Sequence, residues 1–397
     1  MKDNKRMNWT AILAVVLVSF LRQSTHGTNS LLADMAKSFP EVSASGIQLL
    51  SSIVGLVTIP ALFLAAPLVK KMSLKRGALI AVGAVTITGA LPYFIHSYPL
   101  MLAARLLFAA SIGIMNPISA SLITEWYEGE DQKRLMGYRT AISCLGSVVV
   151  SLIVGQLAVY NWNTAFLAYL VGVPVFVFIA LFLPNDSRKA EEKIAKDKFV
   201  LNKAIIIEMV TLFFWMYFFS VTSINISQFV AQNREAFGLA SEAVAKNASY
   251  LSSVYMLSSF LTGLVFTKIT HVCKEYSQAV GILLCCAGDL LIATTNNLPQ
   301  MFIGVIMGGI GLGIVPALSF VKAGAAASRG NKTMGIAVAT AGMSLGAFLS
   351  PNTITRITTA YFDNQRRASY IIGTIGLACV FIVKLIEALK ESKKAKA

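Results

Sequence analysis

The chain has 397 residues, of which 56% are hydrophobic and only 13% charged, with a formal net charge of +15. A soluble domain carries about 25% charged residues, so this composition excludes a soluble globular protein and describes one embedded in a membrane. The charge does not call for nucleic acid, because the basic residues follow membrane topology.

The basic start Met1–Arg6 leads straight into a span of full membrane length. No small-residue cleavage site follows a short apolar core, so no cleavable signal is expected. A span needs about 20 mostly apolar residues. By that measure twelve transmembrane helices are predicted, at 9–31, 44–69, 76–95, 98–123, 136–159, 164–184, 204–231, 247–269, 277–296, 299–321, 333–355 and 369–388. With the N-terminus in the cytoplasm, 26 of the 34 Lys and Arg residues fall in cytoplasmic segments, Arg139 among them, and six fall outside. Arg22 and Arg105 lie within spans. The bias predicts a multi-pass protein of the cytoplasmic membrane with both termini inside, and attraction to anionic membrane lipids adds to it.

The polar run Asn185–Lys198 divides the chain near its midpoint. The expected organisation is an N-terminal six-helix bundle over 1–184, a cytoplasmic linker over 185–203 and a C-terminal six-helix bundle over 204–397. The halves echo each other. Leu50-Ser-Ser-Ile-Val recurs as Leu251-Ser-Ser-Val-Tyr, and Gly113-Ile-Met-Asn-Pro117 as Gly313-Ile-Val-Pro316. Met136-Gly137 with Leu145-Gly146 recurs as Met334-Gly335 with Leu345-Gly346. Three echoes in order argue for duplication into parallel repeats, an arrangement that transporters use for alternating access.

In the first span, Arg22 has no acidic residue near it in sequence. A cation at mid-bilayer costs about 3 kcal/mol on insertion scales, so it normally faces a cavity or a partner. Its planar fork suits a carboxylate or phosphate. On a regular helix Gln23, His26 and Asn29 line a polar stripe with it, which makes all four candidate substrate-binding residues. The alternative is a structural arginine bonded to carbonyls or to an acid on another helix. His26 titrates near physiological pH and is also a candidate for coupling. Arg105 in the fourth span is a candidate for substrate binding or gating, or else an interhelical hydrogen-bonder. Asn225 and Gln228, near the end of the seventh span, suit a neutral or hydroxylated part of a substrate. Asp289 in the ninth span is a candidate proton carrier. Glu208 lies close enough to the headgroups to be expected to snorkel toward them. Glycines of the tenth span and the Gly342-x-x-x-Gly346 pair read as helix packing, and Gly309 to Pro316, with Gly313 and Pro316 as its gating candidates, as a bend used in gating.

No enzyme motif is present. There is no Walker loop, no His-Glu-x-x-His and no paired catalytic carboxylate within the spans. The five cysteines, Cys144, Cys273, Cys285, Cys286 and Cys379, lack metal-ligand spacing and read as apolar filler. No metal or cofactor is expected, and the protein is expected to be a monomer.

The stretch Arg105-Leu-Leu-Phe, Gly113, Pro117, Trp126, Lys133-Arg134, Gly137, Gly146, Gly155, Trp162 and Phe166 resembles the major facilitator superfamily, and the resemblance extends over essentially the whole chain. It implies two pseudo-symmetric six-helix bundles with spans 1, 4, 7 and 10 around a central cavity and span 9 usually peripheral to it. It also implies secondary transport by alternating access. Within the superfamily the stretch is similar to organic-anion transporters, either the anion:cation symporters or the cyanate-transporter-like group, whose first helix often carries an arginine at the place of Arg22. A small organic anion, moved by proton or ion coupling or by exchange, is the implied substrate.

The departures count too. The loop after span 2 usually carries an aspartate that latches the gate. Here Lys70 takes its place, followed by Lys71, and Ser73 replaces a glycine. The span 5 motif of drug antiporters is incomplete, with Val150-Ser151 where Gly-Pro would stand. Ile112 occupies the position of the anion symporters' proton-carrying glutamate. An exporter of amphipathic compounds and a transport-inactive receptor or scaffold are the alternative readings.

Overall fold

The computed structural model describes residues 9–25, 31, 35, 38–42, 44–158, 160–185, 200–240, 243–328, 331–362 and 366–396. Among them the protein is all-α, with no strand. Twelve α-helices follow in order: α1 Trp9–Leu17, α2 Ala44–Lys71, α3 Leu74–Ala90, α4 Tyr98–Trp126, α5 Gly129–Leu157, α6 Gly172–Phe182, α7 Lys203–Gln232, α8 Ala243–Cys273, α9 Ser277–Thr294, α10 Leu298–Ala326, α11 Lys332–Tyr361 and α12 Arg366–Lys396. Short 3-10 segments occur at Leu91–Phe94, Thr164–Val171 and Lys274–Tyr276.

Eight stretches among the described residues are long and apolar enough to cross a membrane. One of them, Tyr250–Thr294, holds most of both α8 and α9. Shorter apolar runs, Ile53–Leu64 and Met334–Ser350, lie in α2 and α11. Large apolar side chains such as Ile87, Leu152 and Ile375 stand on outer faces. Such faces need lipid tails, since every backbone group in the helix is already satisfied internally.

Three predicted elements differ in form. The first span is α-helical only to Leu17. The sixth opens as a 3-10 segment before α6. The fifth helix begins at Gly129, seven residues before its predicted start. Gly129 takes φ +62°, turning the chain after Glu128, and Glu130 and Asp131 fill the first turn, where carboxylates complement the positive end of the helix. Hydropathy alone misses this polar opening. Ser73, which stands where the resemblance expects a glycine, caps α3: its hydroxyl accepts from the Arg76 N–H.

The chain forms two compact units, one of Met1–Asn202 with Gly324–Val338, the other of Lys203–Ala323 with Ala339–Ala397. The polar run at 186–199 lies outside the described residues. In the first unit α4 packs on α2 and α3, and α1 on α5 and α6. In the second, α12 packs on α9 and α7.

The sequence echoes become equivalent contacts. In the first unit Gly146 of α5 lies against the Phe20 carbonyl, where an added Cβ would sit 1.8 Å from the oxygen. In the second, Gly346 of α11 lies against the Phe213 carbonyl of α7, where a Cβ would sit 2.3 Å away. Gly113 of α4 meets Thr58 of α2, and its echo Gly313 of α10 meets Thr262 of α8. The repeat thus preserves the places where helices touch backbone to backbone, which only a residue without a side chain permits.

Adding a methyl at either contact should overpack it. Gly146→Ala and Gly346→Ala should each destabilise by about 1–3 kcal/mol, seen as lower melting temperatures of the detergent-solubilised protein. Gly155→Ala is the control, since nothing lies within 4 Å of its Cβ position, and it should melt with the wild type.

Candidate functional site

The first span breaks where Arg22 sits. After Leu17 the backbone closes three-residue turns: Ser19 N–H to the Val16 carbonyl, Phe20 to Leu17, Arg22 to Ser19 and Ser24 to Leu21. The sequence favours this locally. The Ser24 hydroxyl donates to the Leu21 carbonyl at 2.7 Å, offering the backbone an alternative partner. The Gly146 contact then seats the unwound segment directly against α5. Through Arg22, Gln23 and Ser24 the chain thus follows three-residue rather than α-helical spacing. His26 and Asn29 lie outside the described residues.

Arg22 is buried at 8% exposure. Its Nη2 donates to Ser143 Oγ of α5 at 2.7 Å, and Nε has no partner among the described residues. No carboxylate pairs with Arg22 or Arg105 among the described residues. Gln23 is half-buried, and its Oε1 accepts from Cys144 Sγ at 3.5 Å.

Arg105 is buried among aromatics. Its guanidinium lies 5.0 Å from the Phe166 ring centroid and 5.9 Å from that of Phe108, with Tyr169 as a hydrogen-bond partner. Ring faces attract a cation. The Tyr169 hydroxyl also donates to the Ser24 carbonyl at 3.1 Å, linking this cluster to the α1 break.

A third buried cation escaped the sequence reading. Arg139, predicted to be cytoplasmic, lies inside α5 at 1% exposure. The predicted span 136–159 already held it, but its place in the first turn of that span led it to be counted with the cytoplasmic basic residues. The signal that would have found it is the Gly129-Glu-Asp opening, which makes Arg139 an interior residue.

In the second unit Asn225 is buried and Gln228 exposed, so the two amides do not share one environment. The aromatic run of α7 is largely internal: Trp215 is buried and stacks on Phe219 at 5.0 Å, while the Tyr217 hydroxyl bonds Thr353 of α11 at 2.7 Å. Asp289 is fully buried in α9. One of its oxygens accepts from the Thr222 hydroxyl of α7, and the other, close to Gly373 of α12, has no partner among the described residues. The Tyr370 hydroxyl donates to the Thr222 carbonyl at 3.3 Å, closing the cluster.

Glu208 corrects an expectation. It does not reach outward but is buried at 3% exposure, paired with Lys384 of α12 at 3.4 Å. Gln278 of α9 donates to the same carboxylate at 2.9 Å, and Lys384 also meets Glu387 at 2.8 Å. Of the gating candidates, Lys70 and Lys71 end α2, Gly313 is the contact glycine above, and Pro316 lies within α10.

A sequence profile of the Major Facilitator Superfamily matches residues 6–272. Among solved structures the chain is similar to the human organic anion transporter MFSD10 (TETRAN), with a TM-score of 0.72 at 15% identity over 95% of this chain and 99% of that one. It is also similar to the transporter FucP in the outward conformation, with a TM-score of 0.66 at 15% identity over 94% and 98%. A further likeness is to the proton:xylose symporter XylE bound to 6-bromo-6-deoxy-D-glucose, with a TM-score of 0.69 at 14% identity over 94% of each chain. At these identities the likeness speaks for the fold. No curated protein matches the sequence.

Breaking the buried Glu208–Lys384 pair should be costly. Lys384→Met strands the carboxylate and should destabilise by about 3–5 kcal/mol. The double variant Glu208→Gln with Lys384→Met should recover most of that loss. Melting curves of the three proteins decide it, and a single variant as stable as the wild type would show the pair to be dispensable.

Proposed function

Since this chain belongs to the Major Facilitator Superfamily and is a multi-pass membrane transporter rather than an enzyme, we propose that it is a secondary active transporter of a small organic anion. It works by alternating access across the cytoplasmic membrane and couples transport to a proton. The observation that carries this reading is Arg22. It is a buried guanidinium at a helix break, held by one neutral hydroxyl, with Nε unpartnered among the described residues. Charged side chains within spans default to function, and discontinuous helices are where transporters build their sites. The fold neighbours do not choose the substrate, since one is named for organic anions and another for xylose; the buried arginine is what supports an anion.

Arg105 has a different part in this reading. Its charge is met by aromatic rings and Tyr169, so it positions the α1 break through Ser24. Asp289 is the proton site. It binds and releases a proton without breaking an ion pair, because its partner is a hydroxyl.

Uptake into proteoliposomes, across a panel of labelled mono- and dicarboxylates, tests the Arg22 assignment. Arg22→Lys keeps the charge but loses the two-donor fork. It should weaken apparent affinity about 10- to 150-fold, the equivalent of one charge-assisted bond, while the melting temperature stays near wild type. Arg22→Gln should weaken it further. Wild-type affinity in Arg22→Gln would refute the assignment, as would a variant that melts early yet keeps its affinity.

In the same vesicles Asp289→Asn should still bind substrate but lose the acceleration of uptake by an imposed pH gradient. An unchanged response to the gradient would exclude Asp289 as the proton carrier.

A further inference from the structure

In the second unit, where α7 ends and α12 begins, two cations stand at the positive end of a helix. Arg366 and Arg367 are the first two residues of α12, and its first turn holds no acid. The start of a long helix carries partial positive charge on its free N–H groups, so a cation there is unfavourable and an anion favourable. The two arginines meet this differently. Arg367 is bound by the fold itself: its Nη2 donates to the Thr295 carbonyl at 2.9 Å, to Asn296 Oδ1 at 3.0 Å and to Asn233 Oδ1 at 3.4 Å. Those bonds tie the start of α12 to the end of α7 and to the turn between α9 and α10. The backbone N–H of Arg366 donates to Gln232 Oε1 at 2.9 Å. Its side chain is not tied in the same way. It is 8% exposed, and Nε and Nη1 have no partner among the described residues. Among them no carboxylate pairs with either arginine.

A guanidinium withdrawn from water with two donors unanswered is costly for the protein alone. An anion at this helix end pairs with the guanidinium and also complements the helix. The surroundings favour one kind of anion. Tyr361, which ends α11, is 80% exposed. Ile357 one turn before it, Phe362 just after it and Ile371 of α12 are exposed as well. Exposed apolar side chains at the end of a membrane helix meet lipid tails, and a tyrosine among them marks the level of the headgroups. An anion that reaches Arg366 at that level can lay acyl chains along these side chains while its charge meets the arginine.

We propose that Arg366, with the start of α12, seats the phosphate of an anionic phospholipid. The site is separate from Arg22 and does not rest on the reading of that residue. A free phosphate shares the chemistry, and the experiment separates the two sources.

Delipidated full-length protein in a neutral detergent is titrated with phosphatidylglycerol, phosphatidylcholine and inorganic phosphate at matched ionic strength. Melting temperature and native mass spectrometry read the binding. Phosphatidylglycerol should bind and raise the melting temperature of the wild type, and the other two should do neither. Arg366→Gln should weaken that binding about 10- to 150-fold, as loss of one charge-assisted contact implies. Without lipid it should melt no earlier than the wild type, because it removes an unanswered charge. Arg366→Lys should keep part of the binding. Lys393→Gln, at the other end of α12, should bind as the wild type does. That control separates the site from the general attraction of a chain of net charge +15 to anionic lipid. Asp363, the nearest acid in sequence, lies outside the described residues, and Asp363→Asn should also bind as the wild type does. Tighter binding in Asp363→Asn would show that the arginine is already answered within the protein and would overturn the proposal. Undiminished phosphatidylglycerol binding in Arg366→Gln would overturn it too. Should the Arg366 variants fail to fold, the wild type alone decides: no response to phosphatidylglycerol, or one matched by phosphatidylcholine or by inorganic phosphate, overturns the proposal.

Discussion

An arginine inside the bilayer is the constraint on which the first unit depends. Each such cation costs a few kcal/mol unless its surroundings answer it, and the unit answers three of them differently. Arg105 is met by the faces of Phe108 and Phe166 and by Tyr169. Arg139 is held by Asn116 and Ser119. Among the described residues Arg22 is met by the Ser143 hydroxyl, with Nε left unpartnered. It lies where α1 has given up its regular hydrogen bonds.

The unwound segment is seated by a backbone contact that both units share. Gly146 approaches Phe20 in the first, and Gly346 approaches Phe213 in the second. The same contact has different consequences. Around Phe20 the chain carries Ser19, Arg22, Gln23 and Ser24, and the Ser24 hydroxyl takes the Leu21 carbonyl. Around Phe213 it carries aromatics, with Trp215 stacked on Phe219, and α7 runs unbroken through it. A duplicated scaffold has thus become asymmetric in chemistry while its helix contacts stay equivalent.

The second unit handles charge in the opposite way. Glu208 and Lys384 neutralise each other where both are buried, with Gln278 supplying a further hydrogen bond. Such a pair contributes little net stability but is costly to break. Asp289 is the exception, an acid answered by a hydroxyl alone. The two units thus bury charge in different surroundings, cations beside rings and hydroxyls in one and an acid beside a hydroxyl in the other.

The membrane class, the helical spans and the family were legible in the sequence because the bilayer acts on each span locally. Twenty apolar residues mean the same thing wherever they stand in the chain, and the echoed glycines mark helix contacts without a structure. Arg22 was equally plain, since a charge inside an apolar run needs no neighbour to be noticed. The tertiary structure alone decided the rest. Arg139 was counted with the cytoplasmic charges because it stood in the first turn of its predicted span, whereas the helix begins at Gly129 and buries it. Glu208 passed for a headgroup contact because its partner Lys384 is far away in sequence. The seating of the unwound segment against α5 depends on Gly146 meeting Phe20 from another helix. In each case the deciding quantity is what a charged or polar group touches once water is excluded. That is a property of segments distant in sequence, and no local reading contains it.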